Sequence, residues 1–237
     1  MLTANPAPPK SEDELLDRAH SMAGHTLGEV AEVLNEDAPL DLRRNKGWVG
    51  QIIERYLGAS AGNKPVPDFE NLGIELKTLP VDLDGKPFES TYVTTMELSD
   101  ADDVEWETSN VRLKLQRVLW VPVQGDRAIE VPDRMIGRAA LWSPSTTEEA
   151  ALRADWESHM RAVREGFVQN IRGTDGDFLQ VRPKAANSDT KTWGVDEFGG
   201  AILTNPRGFY LRALFTEYVL RSQLAATRRA IDAYNDD

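Results

Sequence analysis

Asp68-Phe-Glu-Asn-Leu-Gly-Ile-Glu-Leu-Lys-Thr78 reads as an acid, a tight turn and then a strand. Asn71-Leu-Gly73 supplies the turn residues, and Ile74 to Thr78 the extended run. Side chains alternate faces along a strand, so Glu75 and Lys77 point the same way. Asp68 returns beside them across the turn at Gly73. Two carboxylates and one ammonium then share a small volume. Two unit negative charges ~4 Å apart repel by about 4 kcal/mol at an effective dielectric of about 20. Such a pair persists when one group is protonated or a cation sits between them. Oxygen-only donors select a hard ion, Mg²⁺ with Mn²⁺ as a substitute. That ion would polarise a phosphodiester oxygen, and Lys77 would orient the attacking water. The pattern is loose, and a plain acidic strand edge with a nearby lysine satisfies it equally.

Upstream, Ser11 and Glu14 have the spacing of a capping box opening a helix, and a second helix begins near Thr26. Trp48, Val49, Ile52, Ile53, Tyr56 and Leu57 mark an amphipathic helix with Glu54 on its polar side. Between 41 and 64, five cations (Arg43, Arg44, Lys46, Arg55, Lys64) face two acids (Asp41, Glu54), a local charge of +3. The loop from Gly58 to Pro65 superficially resembles a phosphate loop. Its spacing is one residue short and Pro65 stands where Ser or Thr belongs, so no ATP site is expected.

Downstream, Thr91 to Met96 reads as a strand and the acid-rich stretch from Asp100 to Glu107 as a solvated loop. Val111, Leu115, Val118 and Leu119 suggest a helical stripe with Lys114 at its edge. Strands are expected over 119–123, 128–131, 140–142 and 177–182. Ser145 and Glu148 open a helix running to about Ile171. Asn187 to Gly200 is read as a mobile loop, and Arg207 to Tyr210 precedes a last long helix. Helices and strands mix without regular βαβ alternation, an α/β chain of mixed α+β type.

The 237 residues are 41% apolar and 28% charged, enough for one domain or two small ones, with residues 1–10 expected to be disordered. Cysteine is absent, which excludes disulfides, thiolate metal sites and cysteine nucleophiles. The three histidines, His20, His25 and His159, lack metal-ligand spacing, and no G-x-S-x-G elbow is present. A net charge of −12 argues against indiscriminate coating of nucleic acid, though not against a local basic cleft. No apolar run approaches a membrane span and the first residues lack an apolar signal core, so a cytoplasmic location is expected.

Longer strings carry a family resemblance. They are Lys46-Gly-Trp-Val-Gly50, Leu57-Gly-Ala-Ser-Ala-Gly62, Asp68-Phe69, Gly73-Ile-Glu-Leu-Lys-Thr78, Trp106-Glu-Thr-Ser109, Val111-Arg-Leu-Lys114 and Arg117-Val-Leu-Trp120. Leu141-Trp-Ser-Pro144, Val181-Arg-Pro-Lys-Ala-Ala-Asn187 and Pro206-Arg-Gly-Phe-Tyr-Leu211 follow in order. Over nearly its whole length the chain resembles the MutH mismatch-repair endonucleases, relatives of type II restriction enzymes.

The resemblance implies a restriction-endonuclease-like domain, a central mixed sheet flanked by helices, with two lobes around a DNA cleft. It implies Asp68, Glu75 and the carbonyl of Leu76 as Mg²⁺ ligands, with Glu54 joining from the preceding helix. Lys77 would act on the attacking water and Lys114 on the scissile phosphate. Lys46, Arg182, Pro183, Lys184 and Arg207 would contact DNA, and Tyr210 would sense the methylation state of adenine. The implied activity is a nick in the unmethylated strand of hemimethylated GATC, 5′ of the G, by a monomer activated by MutL, with MutS acting indirectly. The tail from Gln223 to Tyr234 is read as an extension outside this set.

Overall fold

The computed structural model describes residues 2, 7–62, 64–99, 101–185 and 189–235, without the side chains of 224 and 226–235. Two compact units emerge: Met1–Glu89, Gln116–Ser143 and Glu217–Asp237 form the first, Ser90–Leu115 and Pro144–Thr216 the second. Among the described residues no helix is long and apolar enough to cross a membrane.

The first unit opens with three helices, α1 (Glu12–Ser21), α2 (Leu27–Val33) and α3 (Trp48–Leu57). Thr26 and Glu29 form the reciprocal capping box of α2. At α1 only half of the expected box exists. Ser11 accepts the Glu14 N–H, but the Glu14 carboxylate turns to the Lys10 N–H and to Arg18. Residues 7–10, expected to be disordered, are held by contacts. Arg18 donates to the carbonyls of Ala7 and Leu57, Asn71 donates to Pro9, and Pro9 is buried. Gly58 permits this arm: its φ is 80°, and a Cβ there would stand 2.4 Å from the Ala7 oxygen.

The three helices cover a three-stranded sheet of β1 (Glu75–Val81), β3 (Val118–Gln124) and β4 (Ala140–Trp142). β1 and β3 run parallel and β3 and β4 antiparallel, so this sheet is mixed, with β1 on its edge. Leu76, Leu119, Val121 and Val123 join Ile52, Ile53, Leu57 and Leu15 in one buried cluster. Each fully buried aliphatic side chain there contributes roughly 1.5–3 kcal/mol.

The second unit holds an antiparallel sheet ordered β2-β8-β5, built from β2 (Thr91–Thr95), β8 (Arg207–Leu211) and β5 (Leu179–Pro183). A separate hairpin pairs β6 (Thr192–Val195) with β7 (Ala201–Thr204). Helices α4 (Asn110–Leu115) and α5 (Thr146–Arg164) belong to this unit, and α6 (Ala213–Asn235) begins in it. The sheet of the first unit is mixed as expected, but the strands are shared among three small sheets.

Several local expectations are corrected. The stretch after Asp100 (itself outside the described residues) forms two short 3₁₀ turns, Ala101–Asp103 and Trp106–Thr108, because Ala101 and Trp106 are buried anchors. Val118 and Leu119 sit in β3, not in a helix; α4 ends at Leu115. Residues 128–131 are no strand and lead into a 3₁₀ turn, Val131–Asp133. Part of the supposed mobile loop is the β6–β7 hairpin, closed by Asp196, whose carboxylate accepts the N–H groups of Phe198 and Gly200. Asn187 lies outside the described residues. The tail from Gln223 continues α6 as helix.

Candidate active site and DNA-reading face

The turn before β1 is closed by backbone pairing of Phe69 with Ile74, with Gly73 at φ 66°. This brings Asp68 alongside β1, where its Oδ2 accepts the Leu76 N–H at 2.8 Å. The Glu75 N–H donates to Arg117 on the β3 side, so the Leu76 N–H faces the open edge of the sheet. The N–H and C=O of one strand residue point to the same side, and the Leu76 carbonyl therefore faces that edge beside Asp68. The Asp68 main-chain oxygen accepts the N–H groups of Ser60 and Ala61, which pins the 58–65 loop.

Glu75 and Lys77 do share a face. Lys77 Nζ stands 2.6 Å from Glu75 Oε1, with the Glu75 side chain 2% and the Lys77 side chain 13% exposed. Desolvation of two charges is offset only by close pairing, which ties each side chain to the other. Asp68, Glu75 and Lys77 are thus gathered on one short segment.

Glu54 comes from the preceding helix. It is half-buried on α3, and a Cβ on Gly50 would lie 3.7 Å from Glu54 Oε1 and 3.9 Å from Thr78 Oγ1. Thus α3 packs on the face of β1 that carries Leu76 and Thr78, opposite to the face of Glu75 and Lys77. Among the described residues no group of three or more His, Asp or Glu side chains is placed to hold a metal ion. The donors that fit a hard divalent ion are two carboxylates, Asp68 and Glu75, and the Leu76 carbonyl. Such a set suits Mg²⁺, which keeps several of its waters and takes one or two protein carboxylates. Lys46 is exposed ahead of α3, beside Gly47 at φ 96°, and Lys114 stands half-buried on α4 in the second unit.

The sheet of the second unit has two unlike faces. Leu179, Val181, Phe209 and Leu211 are buried on one. On the other, the register aligns Tyr92, Tyr210 and Gln180, then Gly208 and Arg182. Arg182 and Pro183 close β5, within and at the end of the strand expected over 177–182, and with Lys184 they are exposed. Arg182 donates to Ser90 Oγ at 2.9 Å and its guanidinium carbon lies 5.9 Å from the Tyr210 ring. Arg207 departs from expectation. It lies on the core face, only 8% exposed, and donates to the Ile171 carbonyl at 3.3 Å. Burial pushes its guanidinium below the ordinary arginine value.

A cluster of contacts beneath β5 holds this face. The Asp155 carboxylate on α5 accepts the N–H groups of Asp177, Phe178 and Leu179, the last two at 2.7 and 2.9 Å. Sequence reading missed Asp155, and also Tyr92, whose place beside Tyr210 follows from the pairing of strands far apart in the chain.

The family model described as "DNA mismatch repair enzyme MutH" matches residues 57–155, the span from the end of α3 into α5. The DNA mismatch repair protein MutH of Shewanella amazonensis is 52% identical over 216 residues, which cover 91% of this chain and 96% of that protein. The chain belongs to the MutH family. The MutH of Serratia proteamaculans is 50% identical over 219 residues, 92% of this chain and 96% of its own. A MutH of Yersinia enterocolitica is 50% identical over 211 residues, 89% of this chain and 92% of its own. MutH membership makes the chain a DNA mismatch repair endonuclease, a hydrolase of restriction-endonuclease-like fold.

Proposed function

We propose that this MutH-family endonuclease nicks the unmethylated strand of hemimethylated GATC sites, 5′ of the G, using Mg²⁺. The observation that carries the proposal is the Asp68 carboxylate bound to the Leu76 amide, between the paired Glu75 and Lys77. Asp68, Glu75 and the Leu76 carbonyl would hold the ion, with Glu54 acting from outside that inner set. When bound, the ion would supply charge neutralisation at the phosphodiester oxygen. Lys77, steadied by Glu75, orients the water for attack on phosphorus and offers a positive charge to the developing negative one. Lys114 contacts the scissile phosphate, and Lys46 a phosphate nearby.

Sequence reading belongs to the outer face of the β2-β8-β5 sheet and the strand end beyond it. Arg182 offers two donors suited to guanine O6 and N7, with Pro183 and Lys184 following along the same strand end. Tyr210 senses adenine N6, where a methyl adds bulk and removes a donor. Arg207 supports this face from beneath instead of touching DNA. The enzyme works as a cytoplasmic monomer, and MutL, coupled to MutS, activates it. A body of −12 weakens non-specific binding and suits an enzyme recruited by a partner.

The test is a plasmid with one GATC site, prepared unmethylated, hemimethylated and fully methylated, incubated with Mg²⁺ with and without MutL. The expected result is a single nick in the unmethylated strand, stimulated by MutL and far slower on fully methylated DNA. Double-strand cleavage indifferent to methylation, or no incision with Mg²⁺, overturns the reading.

A further inference from the structure

Tyr92 has no part in the chemistry above, yet its ring is fixed on four sides. Its hydroxyl shares a hydrogen bond with Thr95 Oγ1 at 2.9 Å. Its ring meets Tyr210 edge-on, centroids 5.3 Å apart and planes at 64°. Lys184 Nζ lies 3.9 Å from its centroid. Across the ladder Gly208 leaves room for it: a Cβ there would stand 2.9 Å from Tyr92 Cε2 and 3.4 Å from Tyr210 Cε2. Both rings therefore lie close over the Gly208 backbone.

A ring whose face already holds an ammonium is not offered to a base for stacking. It serves as a wall. The edge-to-face contact with Tyr210 and the cation–π contact with Lys184 both favour this one placement of the ring. Discrimination against one methyl group depends on how far the sensing ring can yield, because rejection by clash vanishes if the wall moves.

We infer that Tyr92, tethered by Thr95, is a positioning residue that fixes the Tyr210 ring and seats Lys184, and so sets the sharpness of methyl discrimination. The inference rests on the reading of Tyr210 as the sensor of adenine methylation. Thr95 is exposed and acts only through the Tyr92 hydroxyl. Lys184 gains a defined place over the Tyr92 ring, two residues beyond Arg182.

The test compares wild type, Thr95→Val, Tyr92→Phe and Tyr92→Leu on hemimethylated and fully methylated GATC duplexes, with kcat and KM separated and each fold checked by thermal melting. Thr95→Val and Tyr92→Phe lose the same bond. Each should lower the ratio of hemimethylated to fully methylated nicking by about 3- to 10-fold, the equivalent of one hydrogen bond. For Thr95→Val, kcat on hemimethylated DNA should stay at the wild-type value. Tyr92→Leu should lose more of the ratio and also raise KM, because Lys184 loses its seat. A discriminating wild type whose variants keep its ratio overturns the inference alone. Equal falls on both substrates, with the ratio unmoved, do the same. A wild type that nicks both duplexes alike overturns the Tyr210 reading and this inference with it.

Discussion

Asp68 reaches the edge of β1 by accepting the Leu76 N–H at 2.8 Å, so a carboxylate completes the ladder where no neighbouring strand does. An edge amide left unpaired would be a liability, and the acid removes it. The same contact fixes the carboxylate on the residue that lies between Glu75 and Lys77, which pair with each other. On the proposed reading, structure and chemistry use the two oxygens of one side chain differently.

Those two uses can be separated. Asp68→Asn keeps an oxygen for the Leu76 amide and removes the charge. It should fold with little change in melting temperature yet lose Mg²⁺-dependent nicking by at least about 100-fold, the scale of one essential electrostatic contact. Asp68→Ala should in addition lose about 1–3 kcal/mol from the unsatisfied amide. Plasmid nicking and thermal melts on both variants check this, and an active Asp68→Asn would remove Asp68 from the ion's donor set.

Lys77→Ala should abolish nicking while duplex binding persists in a gel-shift assay. It also leaves Glu75 buried without its ammonium, which costs about 3 kcal/mol. The double variant Lys77→Met, Glu75→Gln removes both charges and should recover much of that stability with no recovery of activity. Nicking at the wild-type rate in Lys77→Ala would end the assignment.

Arg182→Ala should relax preference at the guanine. The loss expected is about 1–3 kcal/mol of discrimination between GATC and a site with that guanine replaced. Competition nicking between the two duplexes reads it directly. Undiminished selectivity would assign the arginine to its contacts with Ser90 and Tyr210 alone.

How far the sequence could be read depended on whether the signal was local. The helix start near Thr26 and the apolar stripe from Trp48 to Leu57 are local signals, and both helices form where expected. The turn at Gly73 was equally local, and it delivers Asp68 to β1. Val118 and Leu119 were misleading because they continue the spacing of Val111 and Leu115 while belonging to a buried strand, where apolar runs have no period of their own. The polar residues around Trp193 hid a short hairpin with little apolar alternation. Glu54, read on the polar side of its helix, is half-buried there, and helical periodicity carries no information about what else that side meets. Arg207 alternates with Gly208 in β8, and only the pairing of that strand shows it facing inward.

Acid should act on the N-terminal helices first. The Lys10 N–H and Arg18 hold the Glu14 carboxyl below its ordinary value, and the Thr26 N–H and His25 do the same for Glu29. The folded chain therefore binds these protons less tightly than the unfolded one. Their contribution is present above the unfolded glutamate value and is lost as pH falls through the lower folded values. Glu14→Gln with Glu29→Gln should lower the melting temperature at neutral pH, and the gap from wild type should narrow in acid. A gap that stays constant down to strongly acidic pH would contradict this.

Asp155 offers the sharpest test of how the reading face is held. Its carboxylate gathers three consecutive N–H groups, those of Asp177, Phe178 and Leu179, at the start of β5. Gly176 just before them has φ 87°, and a Cβ there would fall 2.0 Å from the Leu179 oxygen, so the chain turns tightly around the acid. His159 Nε2 lies 3.0 Å from that same oxygen, and Arg212 donates to the Gly176 carbonyl at 2.8 Å. Asp155→Ala leaves three amides seeking partners and should cost about 2–4 kcal/mol, less than the sum of three bonds because the acid is only partly buried. Asp155→Asn presents one oxygen where two served and should fall between. The strand that starts at this acid carries Arg182 near its other end, so both variants should loosen Arg182 before they touch Lys77. Selectivity for GATC should then fall at temperatures where Mg²⁺-dependent nicking of the plasmid persists. Parallel loss of selectivity and nicking across the melting range would show instead that Asp155 supports the whole fold and not the reading face in particular.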